Sequence, residues 1–259
     1  MTVLSDLITA MTRGSVRVID LTHTLDPDFP VIVLPADFGQ CARFRMEEVS
    51  AYDHRGPAWK WHNLSMSEHT GTHFDAPIHW VTGRDAPNGA TDSIDPGVFV
   101  GPVCVIDFSA ESARSDDATL EPAHILAWEA EHGPIPADCW VLLRTDWSHR
   151  QGAAYLNLRD DGAHSPGPSP EAVRLLLERG IRGFGTETVG TDAGQAQHFD
   201  PPYPAHALIH GAGRYGLQCL RNLDHLPPTG AVLLAAPLKI KGGTGSPLRV
   251  LALIEEPAP

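Results

Sequence analysis

The chain has 259 residues, enough for one large domain or two small ones, and its 42% hydrophobic content can fill a buried core. With 32 acidic against 19 basic residues the formal charge is −13, a field that repels phosphate backbones and anionic lipid headgroups, so no nucleic acid and no membrane surface is expected as a partner. Cys41, Cys104, Cys139 and Cys219 stand far apart with no CxxC pair, which reads as reduced thiols. The opening MTVLSDLITAMTRG lacks the basic and apolar blocks of a secretory signal, and no apolar run approaches the roughly 20 residues that span a bilayer. A cytoplasmic protein is expected.

Leu4, Leu7, Ile8 and Met11 line one face of a short helix closed by Gly14. VRVIDL (16–21) is a strand candidate, and the Pro-rich LDPDFPVIVLPADF that follows is extended rather than helical. HILAWEAEHG (124–133) reads as a helix ending at Gly133, and CWVLLRTDW (139–147) as a buried strand. Next comes a helix with Ser169 as N-cap, Pro170 at the first position and Gly180 past the end, then the strand IRGFGT. AHALIHGAG is a weaker helix that Gly211 and Gly213 end early. AVLLAAPLKI (231–240) and LRVLALI (248–254) are closing strands, joined by KGGTGSP, which reads as a tight turn because no Lys-Ser/Thr pair or helix follows its glycines. Helix and strand alternate, which points to an α/β fold with a sheet covered by helices, and no linker or repeat divides residues 1–259 into more than one domain.

Residues 67–80, SEHTGTHFDAPIHW, crowd three imidazoles and a carboxylate into one short stretch. A helix would place Asp75 about 200° from His73 by the 3.6-residue period, and Gly71 and Pro77 argue against one. A strand puts His73 and Asp75 on one side, but His69 and His79 then need bends, which Gly71 permits and Pro77 stiffens. Folded so, His69, His73 and Asp75 form a nitrogen, nitrogen, oxygen triad with coordination positions left for water, a catalytic rather than a structural metal geometry. That donor set suits Mn²⁺ and Zn²⁺ alike. His79, left unligated, is placed to move a proton.

HTGTHFDAPIH resembles the HxGTHxDxPxH signature of the metal-dependent cyclase family, which includes bacterial kynurenine formamidases and isatin hydrolases. The likeness extends from VIDLTHTL through DWS (146–148), GFGTETVGTD (183–192) and PAHALIHGAG (204–213) to APLKIKGGTGSP (236–247). It implies a single α/β domain with a barrel-like core flanked by helices, assembled as a homodimer or homotetramer. It also implies His69, His73 and Asp75 as ligands of a divalent metal ion and His79 as the acid/base. Family members with two metals add a His and, twelve residues later, a Glu; here His206 matches the His, but Gln218 stands at the Glu position. A neutral amide supplies no charge to hold a second dication, so one tight metal is expected, with His206 as a second-metal ligand or as a donor behind the ligands. Glu187 stands where an Asp is common in the family.

Trp59, Trp61, Phe74 and Trp80 bracket the cluster and are candidates for a pocket that stacks an aromatic amide, Trp59 and Trp61 sharing one strand face. His23, after the first strand, is a further candidate at the site, whereas His164, His198 and His210 read as surface or loop residues. The resulting expectation is a metal-dependent hydrolase that opens an aryl-attached amide, as in the conversion of isatin to isatinate. The alternatives are a formamidase acting on N-formylkynurenine, a lactone hydrolase or polyketide-type cyclase, and a non-catalytic metal-binding protein.

Overall fold

The computed structural model describes residues 2–256. Its core is a nine-stranded mixed sheet that curls into a half-barrel. In chain order the strands that matter are β1 (Val16–Asp20), the hairpin pair β2 (Arg45–Asp53) and β3 (Gly56–Ser65), β4 (His73–Asp75), β5 (Val100–Asp107), β6 (Trp140–Arg144), β7 (Gly183–Thr186), β8 (Tyr215–Gln218), β9 (Ala231–Leu234), β10 (Gly245–Pro247) and β11 (Leu251–Glu255). The sheet order is β1, β11, β9, β5, β6, β7, β8, β4, β10. Four central strands, β5 to β8, run parallel, and the strands outside them pair antiparallel. Helix α2 (Pro122–His132) connects β5 to β6 and α3 (Pro170–Glu178) connects β6 to β7, as parallel pairing requires a crossover.

Local chemistry sets these helices. Ser169 accepts a hydrogen bond from Ala172 N and Pro170 occupies the first turn of α3, while Gly180 takes a left-handed φ of +72° beyond its end, as the sequence predicts. Helix α2 begins two residues earlier than expected, because Pro122 fits its first turn and Glu121 caps it. The two helices cover one face of the sheet: Ile125, Trp128, Val173 and Leu176 pack on Val141, Leu143 and Phe184. The other face curls on itself around Phe74, Trp140, Leu142, Leu217, Leu233 and Ala252.

Four elements differ from expectation. Helix α1 (Val3–Arg13) forms, but it buries none of its residues, so its apolar stripe stays in solvent. The segment 231–240 is strand only through Leu234, because Pro237 cannot donate to a ladder. KGGTGSP is more than a turn, since its last residues form β10 and pair with β4. The predicted helix at 205–213 is a π-helical turn over Ala205–His210.

Candidate metal centre

Three backbone features converge on the sheet edge where β8, β4 and β10 meet. In β4, His73 and Asp75 point to one side, as alternation demands; His73 lies opposite Gln218 and Asp75 opposite Gly216. Gly71 takes φ +68° and turns the chain so that His69 folds back over the strand. Gly245 of β10 lets it lie there, because a Cβ at this position would stand 2.5 Å from His69 Cε1. After Asp75, Pro77 opens a 3₁₀ turn through His79, which brings the His79 ring to 4.0 Å from that of His69, centroid to centroid.

The resulting cluster is built around Asp75, which has no exposed surface. Its Oδ1 lies 2.8 Å from His69 Nδ1 and 3.4 Å from His73 Nε2. His73 Nδ1 donates to Gly71 O at 2.7 Å, which fixes the tautomer and leaves Nε2 as the free donor atom toward Asp75. His69 Nε2 meets Thr244 Oγ1 at 3.0 Å, and that hydroxyl donates to Glu68 Oε2 at 2.7 Å. Ligand atoms of His69, Asp75 and His79 all lie within 4.8 Å of one another, and so do those of Asp75, His206 and His210. The donor chemistry of two imidazoles and a carboxylate fits a borderline divalent ion, but the converging group contains His79, expected to be unligated, and leaves out His73, expected as a ligand, whose Nε2 lies 3.4 Å from Asp75 Oδ1.

Electrostatics follow from burial. Desolvation works against the charge on Asp75, but the imidazoles of His73, His69 and His79 outweigh it and hold the carboxyl well below its usual range. Burial pushes the His79 pKa down to about 3; Asp75 opposes that shift and the rings of His69, His206 and His210 reinforce it. His79 is therefore a neutral imidazole, able to accept a proton. Burial also lowers His73. His206 goes the other way: burial disfavours its charge, but Asp192, 2.5 Å from Nδ1, raises it above the ordinary value.

Gln218 donates through Nε2 to Asp75 Oδ2 and lies 3.4 Å from His206 Nε2. An amide N–H aimed at Oδ2 occupies the side of the carboxylate that a second cation would need. Asp192 also accepts from Ala205 N and His206 N, at 2.6 and 3.2 Å, and so holds the start of the π-helical turn that carries His206. Trp80 lies over His206 with centroids 4.8 Å apart.

The other pocket candidates go elsewhere. Phe74 sits between His73 and Asp75 in β4 and therefore faces the opposite side, fully buried against Phe99, Trp140 and Tyr215; it is core, not pocket. Trp59 and Trp61 do share a strand, but β3 belongs to a projecting hairpin, where they are 51% and 57% exposed and do not bracket the cluster of their own chain. His23 donates its backbone N–H to Thr72 Oγ1, and its ring packs against Phe29 and Tyr155 with a buried Nε2 that has no partner among the described residues. His198 is exposed, as expected. His164 and His210, expected at the surface, are buried: His164 lies between Asp117 and Asp161, and His210 turns toward the cluster with Nδ1 on Arg214 O. The signal for His210 was its place four residues after His206, on the same face of a helical turn. Glu68, Thr244 and Asp192 had no comparable signal, because they act through partners distant in sequence.

Comparisons with known proteins identify the family. The family model described as Putative cyclase matches residues 19–193. An isatin hydrolase from Roseibium aggregatum is 49% identical over 254 residues, 97% of each chain. A kynurenine formamidase from Salinibacter ruber is 30% identical over 73% of this chain and 77% of its own. Among solved structures, isatin hydrolase A from Labrenzia aggregata, bound to benzyl benzoate, superposes with a TM-score of 0.98 at 71% identity, covering 98% of this chain and all of its own. A buried His and Asp cluster on this sheet edge, a family model that covers most of the chain and full-length likeness to isatin hydrolases together place the chain in the metal-dependent cyclase family.

Proposed function

We propose that the protein is a metal-dependent amidohydrolase that opens the ring amide of isatin to give isatinate. The observation that carries this reading is the Asp75 cluster with Gln218 in it, in a chain that resembles isatin hydrolases from end to end. His69, His73 and Asp75 would hold one divalent ion, Mn²⁺ or Zn²⁺. When bound, that ion supplies Lewis acidity that polarises a carbonyl and acidifies a water.

The chain's own residues do the rest. His79, neutral and beside His69, takes a proton as water adds to the amide carbonyl carbon, and returns it to the nitrogen as the C–N bond breaks. The water oxygen stays on carbon and completes the carboxylate; the nitrogen leaves as the aryl amine. Gln218 pins Asp75 Oδ2, so the carboxylate cannot rotate during the cycle. Trp80 forms an apolar wall above His206 against which an aromatic ring can lie.

The test is hydrolysis of isatin and of N-formylkynurenine by metal-stripped protein reconstituted with Mn²⁺ or Zn²⁺. Ring opening of isatin that depends on metal supports the reading, whereas turnover of N-formylkynurenine alone moves the protein to the formamidase branch.

The functional unit is a homodimer in this reading, located in the cytoplasm. Strands β2 and β3 form a two-stranded arm that packs chiefly on itself, and such a ribbon is marginal in water on its own. It exposes Met46, Tyr52 and Leu64 besides Trp59 and Trp61. A second copy is the occupant that would cover these side chains, and only in a partner's site could the two tryptophans serve as pocket residues. Sedimentation of the wild type and of the Trp59→Ala, Trp61→Ala double variant checks this; the wild type is expected as a dimer and the variant as a monomer.

A further inference from the structure

Tyr203 has φ +53°, in the left-handed region where a Cβ crowds the backbone and Gly, or less readily Asn, sits with least strain. Its main chain is pinned there from both sides. The N–H donates to Ala196 O at 3.0 Å, and the carbonyl accepts from Ala207 N at 2.8 Å. Pro201, Pro202 and Pro204 flank it and restrict the segment further. Neither backbone bond needs an aromatic side chain.

Tyr203 is 39% exposed, and its hydroxyl makes no hydrogen bond among the described residues. It meets Trp80 edge-on, with centroids 5.8 Å apart. Trp80 in turn lies 4.8 Å from the His206 ring, and His206 Nε2 is 3.8 Å from Asp75 Oδ2. Three rings thus stand in contact, from the partly exposed Tyr203 through Trp80 to His206 beside the carboxylate at the centre of the cluster. A bulky residue held in a conformation that suits a small one thus stands at the outer end of this row of rings.

We propose that Tyr203 is a specificity-determining residue: its ring and that of Trp80 form the outer wall that receives the flat aryl part of an aromatic amide while the amide carbonyl faces Asp75 and His79. The wall recognises ring-fused or ring-attached aromatic amides through edge and face contacts, and it takes no part in the proton transfers. The inference deepens the amidohydrolase reading and rests on it.

The experiment is steady-state hydrolysis of isatin by the metal-loaded wild type, Tyr203→Asn and Tyr203→Phe, with Tm recorded for each. In Tyr203→Asn, KM is expected to rise about five- to ten-fold with kcat little changed, the size of one lost aromatic contact. Tm should hold or rise, because Asn tolerates the left-handed backbone. Tyr203→Phe should behave as wild type, since the ring and not the hydroxyl makes the wall. An unchanged KM in Tyr203→Asn overturns the proposal while leaving the amidohydrolase reading intact. A fall in kcat together with Tm, or an equal loss in Tyr203→Phe, overturns it too, because each marks a role other than an aromatic wall. A wild type that is inert toward isatin overturns both.

Discussion

His79 has the most individual environment in the cluster. It is in ring contact with His69, faces His206 and His210, and has no charge at neutral pH because burial drives its pKa to about 3. A pKa that low keeps the ring neutral but makes it a weak base, so the proton-transfer role proposed for His79 rests on its place in the cluster, in ring contact with His69. His79→Ala should therefore lower kcat by roughly 10²- to 10⁴-fold, the range of a lost general acid/base, without removing the metal. Metal content by atomic emission, measured with kcat on the same sample, checks this; loss of the ion would mean that His79 is a ligand instead. The cluster itself was legible because HTGTHFDAPIH holds its titratable groups within a few positions. His210 was not read as part of it, although it lies four residues after His206 in the same helical turn, because the weak helix pattern at AHALIHGAG did not show which face turns inward.

At the scale of the element, the π-helical turn Ala205–His210 shows how one side chain can set a local structure. Asp192 accepts from the backbone N–H groups of Ala205 and His206 and from the His206 ring, so a single carboxylate both caps the turn and aims the imidazole. Asp192→Ala should cost about 2–3 kcal/mol in urea unfolding, since it leaves buried donors without a partner. Asp192→Asn should recover part of that, because an amide oxygen can still accept the backbone bonds. Equal losses in both variants would place the effect in charge alone. Strand β4 is the complementary case: three residues long, it was readable only as an alternation of His73 and Asp75 against Phe74. That alternation sends Phe74 into the core, where full burial of such a side chain contributes about 1.5–3 kcal/mol.

For the whole molecule, stability is tied to metal and to protons. Chelation should lower Tm, and restoring free ion at 100 times its Kd should return about 2.7 kcal/mol by mass action; a Tm unaffected by chelator would argue against a resident ion. In metal-free protein, burial depresses His23 and His210 from 6.5 to about 4. The unfolded chain then binds more protons than the folded one, so the stability these neutral groups confer is complete above pH 6.5 and is lost as pH falls toward 4. The urea midpoint should fall across that window, and less steeply in His23→Gln. The fold class was legible because amphipathic helices, caps and buried strands are local patterns, and helices α2 and α3 and strands β1, β6, β7, β9 and β11 follow from them, whereas β5 and β8 were not read from the sequence. The metal chemistry was legible because its donors lie in one stretch of chain. Only the tertiary structure decided the strand order, because pairing depends on contacts between residues far apart in sequence. It alone turned KGGTGSP into an edge strand beside the site, joined Asp192 and Thr244 to the cluster, and sent Trp59 and Trp61 out on an arm. Each of these depends on a neighbour that no local pattern names.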